Sequence, residues 1–137
     1  MSETVTLLRR YGLRSTPVRR AVLEQLTARR EALPASRLEE AAEADRITVY
    51  RTLRTFEDKG ILHRVVDGTG TDKYALCGEG CGEAGHHHAH PHFHCEDCGS
   101  TVCLEAAGVR GPILPEGYRL REVQLTYRGT CPECTAA

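Results

Sequence analysis

Up to Gly60 the apolar positions fall at helical spacing, and beyond it they fall in short runs broken by turn residues. Val18, Val22, Leu23 and Leu26 line one face of a helix, with Thr16 placed to cap it and Pro17 in its first turn. Ser36 and Glu39 stand at capping-box spacing, with Ser36 as the cap, and predict a short helix running to about Ala44. A third helix is predicted after Asp45, which can cap it. Val49, Leu53 and Phe56 form its buried stripe, and Gly60 suits the left-handed residue that ends a helix. That stripe leaves Tyr50, Arg51, Arg54 and Thr55 facing outward. Residues 61–66 then read as a strand, 67–71 as a turn and 73–76 as the return strand. Helices followed by a hairpin describe a winged helix-turn-helix, whose third helix enters the major groove while flanking basic groups hold phosphates. A helix-hairpin unit that binds protein has the same pattern.

The stretch "GEGCGEAG" at 78–85 is rich in glycine and has almost nothing apolar to pack, so it marks a domain boundary. The expected organisation is a winged-helix DNA-binding domain over 1–77, a linker with the start of a histidine-rich segment over 78–90, and a small α/β metal-binding domain over 91–137. The fold class is then α+β. Residues 101–104 and 119–127 read as strands, and the prolines and glycines between them leave little room for a long helix.

Charge sharpens this division. The net charge of −1 conceals 13 Lys and Arg against 9 Asp and Glu in residues 1–66, and 5 against 10 in residues 67–137. Arg9, Arg10, Arg14, Arg19 and Arg20 follow one another with no acid between them, which suits a polyanion or simply a solvated helix face. No run approaches the roughly 20 apolar residues that span a bilayer. The opening residues lack the apolar stretch of a signal peptide. A cytoplasmic protein with no membrane partner is expected, and in a reducing compartment C-x-x-C pairs are more often metal ligands or redox groups than disulfides.

Cys95-x-x-Cys98 and Cys131-x-x-Cys134 can each present two thiolates from a tight turn, and four thiolates complete the closed tetrahedral shell of a structural zinc. Such a site would pin the C-terminal tail and supply folding energy that a small core lacks. A thioredoxin-like redox pair is the alternative, but no adjoining βαβ pattern supports it. Beside the clip, residues 86–99 hold six of the seven histidines. In an extended chain, residues two apart project to one side and can share a metal. Two histidines need more donors, which His63 on the first hairpin strand and Cys77 at the end of the second could supply. A mixed nitrogen and sulfur site at a domain boundary would fix the angle between domains, and its thiolate would favour zinc over iron(II) or manganese(II). An ordinary strand histidine at 63 and a loose metal-scavenging tract are the plainer readings.

At this point the chain resembles the ferric uptake regulator family of metal-dependent bacterial transcription factors, most of all its zinc uptake regulators. "GLRSTPVRRAVLEQL" is similar to the family's opening helix and "TVYRTLRTFEDKGIL" to its recognition helix and entry to the wing. "HPHFHCEDCG" resembles its metal-binding core and "CPEC" its terminal clip. The resemblance implies a homodimer, held through the C-terminal domains, that binds a palindromic operator when loaded with its regulatory metal and represses metal uptake genes. It implies DNA contacts at Tyr50, Arg51 and Arg14, with Thr48 and Arg54 alongside. Cys95, Cys98, Cys131 and Cys134 match the structural zinc ligands, and the regulatory site maps onto His63, Cys77, His90 and His92. His88 could replace one of those histidines. Cys103 stands where iron-type relatives carry glutamate and Val123 where they carry histidine, so Cys103 becomes a further soft ligand candidate for the hinge.

The resemblance therefore implies a zinc-responsive repressor with structural and regulatory Zn2+, and no enzyme. A manganese-, iron- or peroxide-responsive regulator on the same scaffold would use harder hinge ligands. A zinc storage or delivery protein would explain the histidines but not the basic face. A thiol oxidoreductase would need a reactive cysteine outside the clip, for which Cys81 is the candidate.

Overall fold

The computed structural model describes residues 2–76, 91–104, 114–121 and 123–136. Cys77, Cys81, His88, His90 and the expected linker lie outside them.

The N-terminal lobe opens with four helices: α1 (Glu3–Arg10), α2 (Pro17–Arg29), α3 (Ala35–Ala42) and α4 (Arg46–Lys59). The hydroxyl of Thr16 accepts from the Arg19 amide at 3.2 Å and Asp45 Oδ1 accepts from the Thr48 amide at 2.7 Å, so α2 and α4 start where the sequence places their caps. Gly60 ends α4 at φ 78°, the left-handed conformation that a side chain resists. The α3 cap differs from expectation. Pro34 occupies the cap position without a side-chain bond, and Ser36 lies inside the first turn. The chain enters α3 from a short strand, β1 (Leu33–Pro34), whose pairing fixes the helix start two residues earlier than the capping pattern suggests.

Strand β1 pairs with β3 (Lys73–Leu76), which pairs in turn with β2 (Leu62–Val65), giving an antiparallel sheet of order β1-β3-β2. The hairpin covers the helices as the wing of a winged helix-turn-helix. Leu8, Val22, Leu23, Leu38, Val49, Leu53, Phe56 and Leu62 are all at most 1% exposed in the core between helices and wing. Each such side chain contributes about 1.5–3 kcal/mol of burial. Helix α1 goes unannounced by the apolar pattern, yet Leu8 seals one end of this core.

The C-terminal lobe is a second sheet of order β5-β4-β6, formed by β4 (His92–Cys95), β5 (Thr101–Cys103) and β6 (Thr126–Gly129), and followed by the short α5 (Pro132–Ala136). Strand β4 pairs antiparallel with β5 and parallel with β6. The strand expected over 119–127 is thus confined to its end and shifted toward the C-terminus. Strand β4 is only four residues long, and it offers β6 partners from Thr126 to Gly129 and no further, while residues 119–121 are exposed. Among the described residues no helix is long and apolar enough to cross a membrane.

Candidate metal centre and nucleic-acid interface

The parallel pairing of β4 with β6 sets Gly129 beside Cys95, and the Glu96 amide donates to the Gly129 carbonyl at 2.8 Å. Cys131 follows two residues later. Pro132 then starts α5, so Cys134 falls one helical turn on, over Cys131. On the other side the tight turn after Cys95, closed by Gly99 at φ 80°, returns Cys98 toward the same point. The four Sγ atoms lie within 4.8 Å of one another, and Cys98 and Cys131 are 3.9 Å apart. A tetrahedral zinc with Zn–S bonds of about 2.3 Å requires sulfur separations of about 3.8 Å. The donor set therefore fits that ion.

Electrostatics point the same way. The amides of Cys98 and Cys131 donate to the Cys95 sulfur at 3.5 and 3.3 Å and lower its pKa to about 6. Cys134 is pushed far above the ordinary thiol value, first by its hydrogen bond to Cys131 and then by burial. One thiolate is thus welcomed by the fold, while further thiolates crowded beside it call for a cation.

A second cluster joins the two lobes. His63 lies on β2 opposite Ala75, while His92 on β4 is the cross-strand partner of Cys103 on β5. His63 Nε2 is 3.0 Å from His92 Nε2 and 3.6 Å from Cys103 Sγ. Both histidines are buried, and their rings are tilted by 38° at a centroid separation of 5.2 Å. Ligand bonds of about 2.0–2.1 Å to nitrogen and 2.3 Å to sulfur give tetrahedral edges of about 3.3 and 3.6 Å. The observed separations are close to these, so one ion fits among the three donors. Of the expected hinge residues, the structure brings together His63, His92 and the further candidate Cys103. Cys77, His90 and His88 lie outside the described residues.

His94 points into the same interface as His92 but joins a different group. Its Nδ1 lies 2.8 Å from Thr101 Oγ1, beside the buried carboxylate of Asp67. Asp67, which the pattern marks only as a turn residue, is 1% exposed and forms a 2.7 Å ion pair with Lys73.

The candidates for DNA contact lie along α4 and just before α2. Thr48, Tyr50, Arg51 and Arg54 are exposed along α4, and Arg14 is exposed in the segment before α2. Arg14, Arg19, Thr48 and Arg51 line one groove between α2 and α4. The Arg19 guanidinium donates to the Arg14 carbonyl at 2.8 Å, which orders this basic edge. Ile47, 64% exposed one turn before Tyr50 and Arg51, shares their face. Periodicity misses it, although its separations of three and four residues from that pair carry the signal.

The model of the ferric uptake regulator family matches residues 10–127. The peroxide-responsive repressor PerR of Staphylococcus aureus is 29% identical over 98% of this chain and 90% of its own length. Among solved structures, holo XcZur is 25% identical with a TM-score of 0.67, covering 97% of each chain. A zinc uptake regulator complexed with zinc and DNA is 24% identical with a TM-score of 0.68, covering 99% of this chain and 97% of that one. The chain belongs to the ferric uptake regulator family and is accordingly a metal-responsive, DNA-binding transcription regulator rather than an enzyme.

Proposed function

We propose that the protein is a cytoplasmic zinc-responsive repressor that binds palindromic operator DNA as a metal-loaded homodimer and controls metal uptake genes. Cys95, Cys98, Cys131 and Cys134 would hold a structural zinc, and His63, His92 and Cys103 a regulatory zinc, with Cys77, His90 and His88 as candidates for the remaining position. Tyr50 and Arg51 would read base edges from α4, flanked by Thr48 and Arg54, while Arg14 holds the backbone or minor groove.

The observation that carries the choice of metal is the Cys103 thiol, 3.6 Å from His63 Nε2. A thiolate beside two imidazoles favours zinc over the harder iron(II) and manganese(II). Names of relatives do not decide this, since the PerR relative is a peroxide-responsive repressor and two structural neighbours are zinc regulators. The switch follows from placement. His63 belongs to the wing lobe and His92 and Cys103 to the other, so a ligand that prefers the three donors together stabilises the closed arrangement by its differential affinity.

His63→Ala is expected to abolish zinc-dependent operator binding while the protein still purifies with clip zinc. An unchanged zinc response in that variant would remove the proposal.

A further inference from the structure

The wing and the C-terminal sheet meet at a buried carboxylate that no metal-binding or DNA-binding role uses. Asp67 sits in the turn four residues beyond His63. Its Oδ1 accepts from the Thr69 amide at 3.1 Å and the Thr69 hydroxyl at 2.6 Å. Its Oδ2 accepts from Lys73 Nζ at 2.7 Å and from the Thr101 hydroxyl at 2.8 Å. Burial alone would raise the Asp67 pKa, but the bonds from Lys73, Thr69 and Thr101 outweigh it and hold the carboxyl well below the usual carboxylate range. Because Thr101 gives its proton to Asp67, its oxygen is left to accept from His94 Nδ1.

Two features make this more than a folded turn. Thr69 and Lys73 belong to the hairpin, whereas Thr101 comes from β5, so the Thr101 bond crosses between lobes. Lys73 Nζ reinforces it from 3.3 Å to the Thr101 hydroxyl and 3.4 Å to the Gly99 carbonyl. The network also lies one row along the ladder that carries the hinge. Thr101 pairs with His94 and Cys103 pairs with His92, each two residues apart on the same face. Displacing Thr101 from Asp67 therefore displaces Cys103 and His92 from His63. Further ties hold the same seam, from the Ala32 amide to the Thr101 carbonyl at 2.7 Å and from the Thr126 hydroxyl to the Val66 carbonyl at 2.9 Å. Among the described residues, Asp67 is the wholly buried carboxylate bonded across it.

We propose that Asp67, through Thr101, is the positioning residue that holds the two halves of the hinge at ligand spacing and so couples hinge occupancy to operator binding. This rests on the regulatory reading of His63, His92 and Cys103. It contributes no ligand atom. It preorganises donors that come from separate lobes, which spares a bound ion the cost of assembling them.

The test compares Asp67→Asn, Thr101→Val and Thr101→Ser in the full-length protein with the clip filled, and runs His63→Ala beside them. Thr101→Val removes the cross-lobe donor at nearly constant volume and leaves the hairpin's own bonds to Asp67, so it decides the matter even if Asp67→Asn fails to fold. The readouts are the ratio of operator affinities with and without hinge zinc, and cobalt(II) affinity of the hinge by its thiolate charge-transfer absorption. Asp67→Asn and Thr101→Val are expected to lose about tenfold or more in the ratio, within the usual range of coupling energies. Cobalt binding should weaken with it, and Thr101→Ser should track the parent. A structural role alone would lower thermal stability in both metal states and leave the ratio intact, which would overturn the inference. If His63→Ala itself keeps the ratio, the regulatory reading fails first and this inference with it.

Discussion

Replacing Cys103 by alanine removes the hinge's one sulfur among the described residues and leaves His63 and His92 facing each other at 3.0 Å. Four-ligand structural zinc sites release about 10–16 kcal/mol on binding, so one ligand's share is about 3 kcal/mol, or on the order of a hundredfold in affinity. Competition with a chelator should show that loss at the hinge, while zinc at the clip, whose cysteines lie on other turns, keeps its affinity. Cobalt(II) at the hinge should lose its thiolate charge-transfer band. Cys103→Glu offers an oxygen at the same place, so it should recover part of the affinity while shifting preference toward manganese(II) and iron(II). A Cys103→Ala protein that held hinge zinc as tightly as the parent, with the cobalt band in place, would refute the assignment of this sulfur to the metal.

Other outcomes follow from the same geometry. Arg51→Ala should reduce discrimination between operator and mutated operator by about 1–3 kcal/mol in competition gel shifts, because a bidentate arginine to guanine is worth that much. Arg14→Ala should weaken binding to all sequences and flatten its salt dependence instead. Phe56→Ala, at a wholly buried position, should destabilise the N-terminal lobe by about 3–5 kcal/mol in denaturant melts. Asp67 has a depressed carboxyl pKa, so its ionic contribution is complete above the ordinary value of 3.8 and fades as pH falls below it. The stability gap between the parent and Asp67→Asn should therefore be constant at neutral pH and narrow in acid.

The sequence made the DNA-binding lobe readable because its punctuation is local. Thr16, Asp45 and Gly60 act within one turn of their own backbone, and the stripe of Val49, Leu53 and Phe56 needs no partner to be recognised. Helix α1 escaped because its few apolar residues sit among arginines, and β1 because two residues make no pattern. The approach of the four clip cysteines was legible from two short spacings. The approach of the three hinge candidates was legible in part. His63 and His92 carry the right chemistry, but the place of Cys103 depends on register, which the turn after Cys95 sets. The Cys95 amide donates to the Ser100 carbonyl, and pairing outward from there reaches His92 opposite Cys103. Asp67 was hidden for the opposite reason. It looks like any acid in a glycine-rich turn until the fold delivers Thr101 to it from 34 residues away.

The division of labour between the two metal sites is tested most directly by titrating zinc into metal-free protein while following operator affinity and bound metal together. The first equivalent, taken by the four cysteines, should leave operator binding weak, and binding should rise with the second equivalent, for zinc far below the concentrations needed for manganese(II) or iron(II). Full operator affinity after a single equivalent, or equal responses to all three metals, would contradict it.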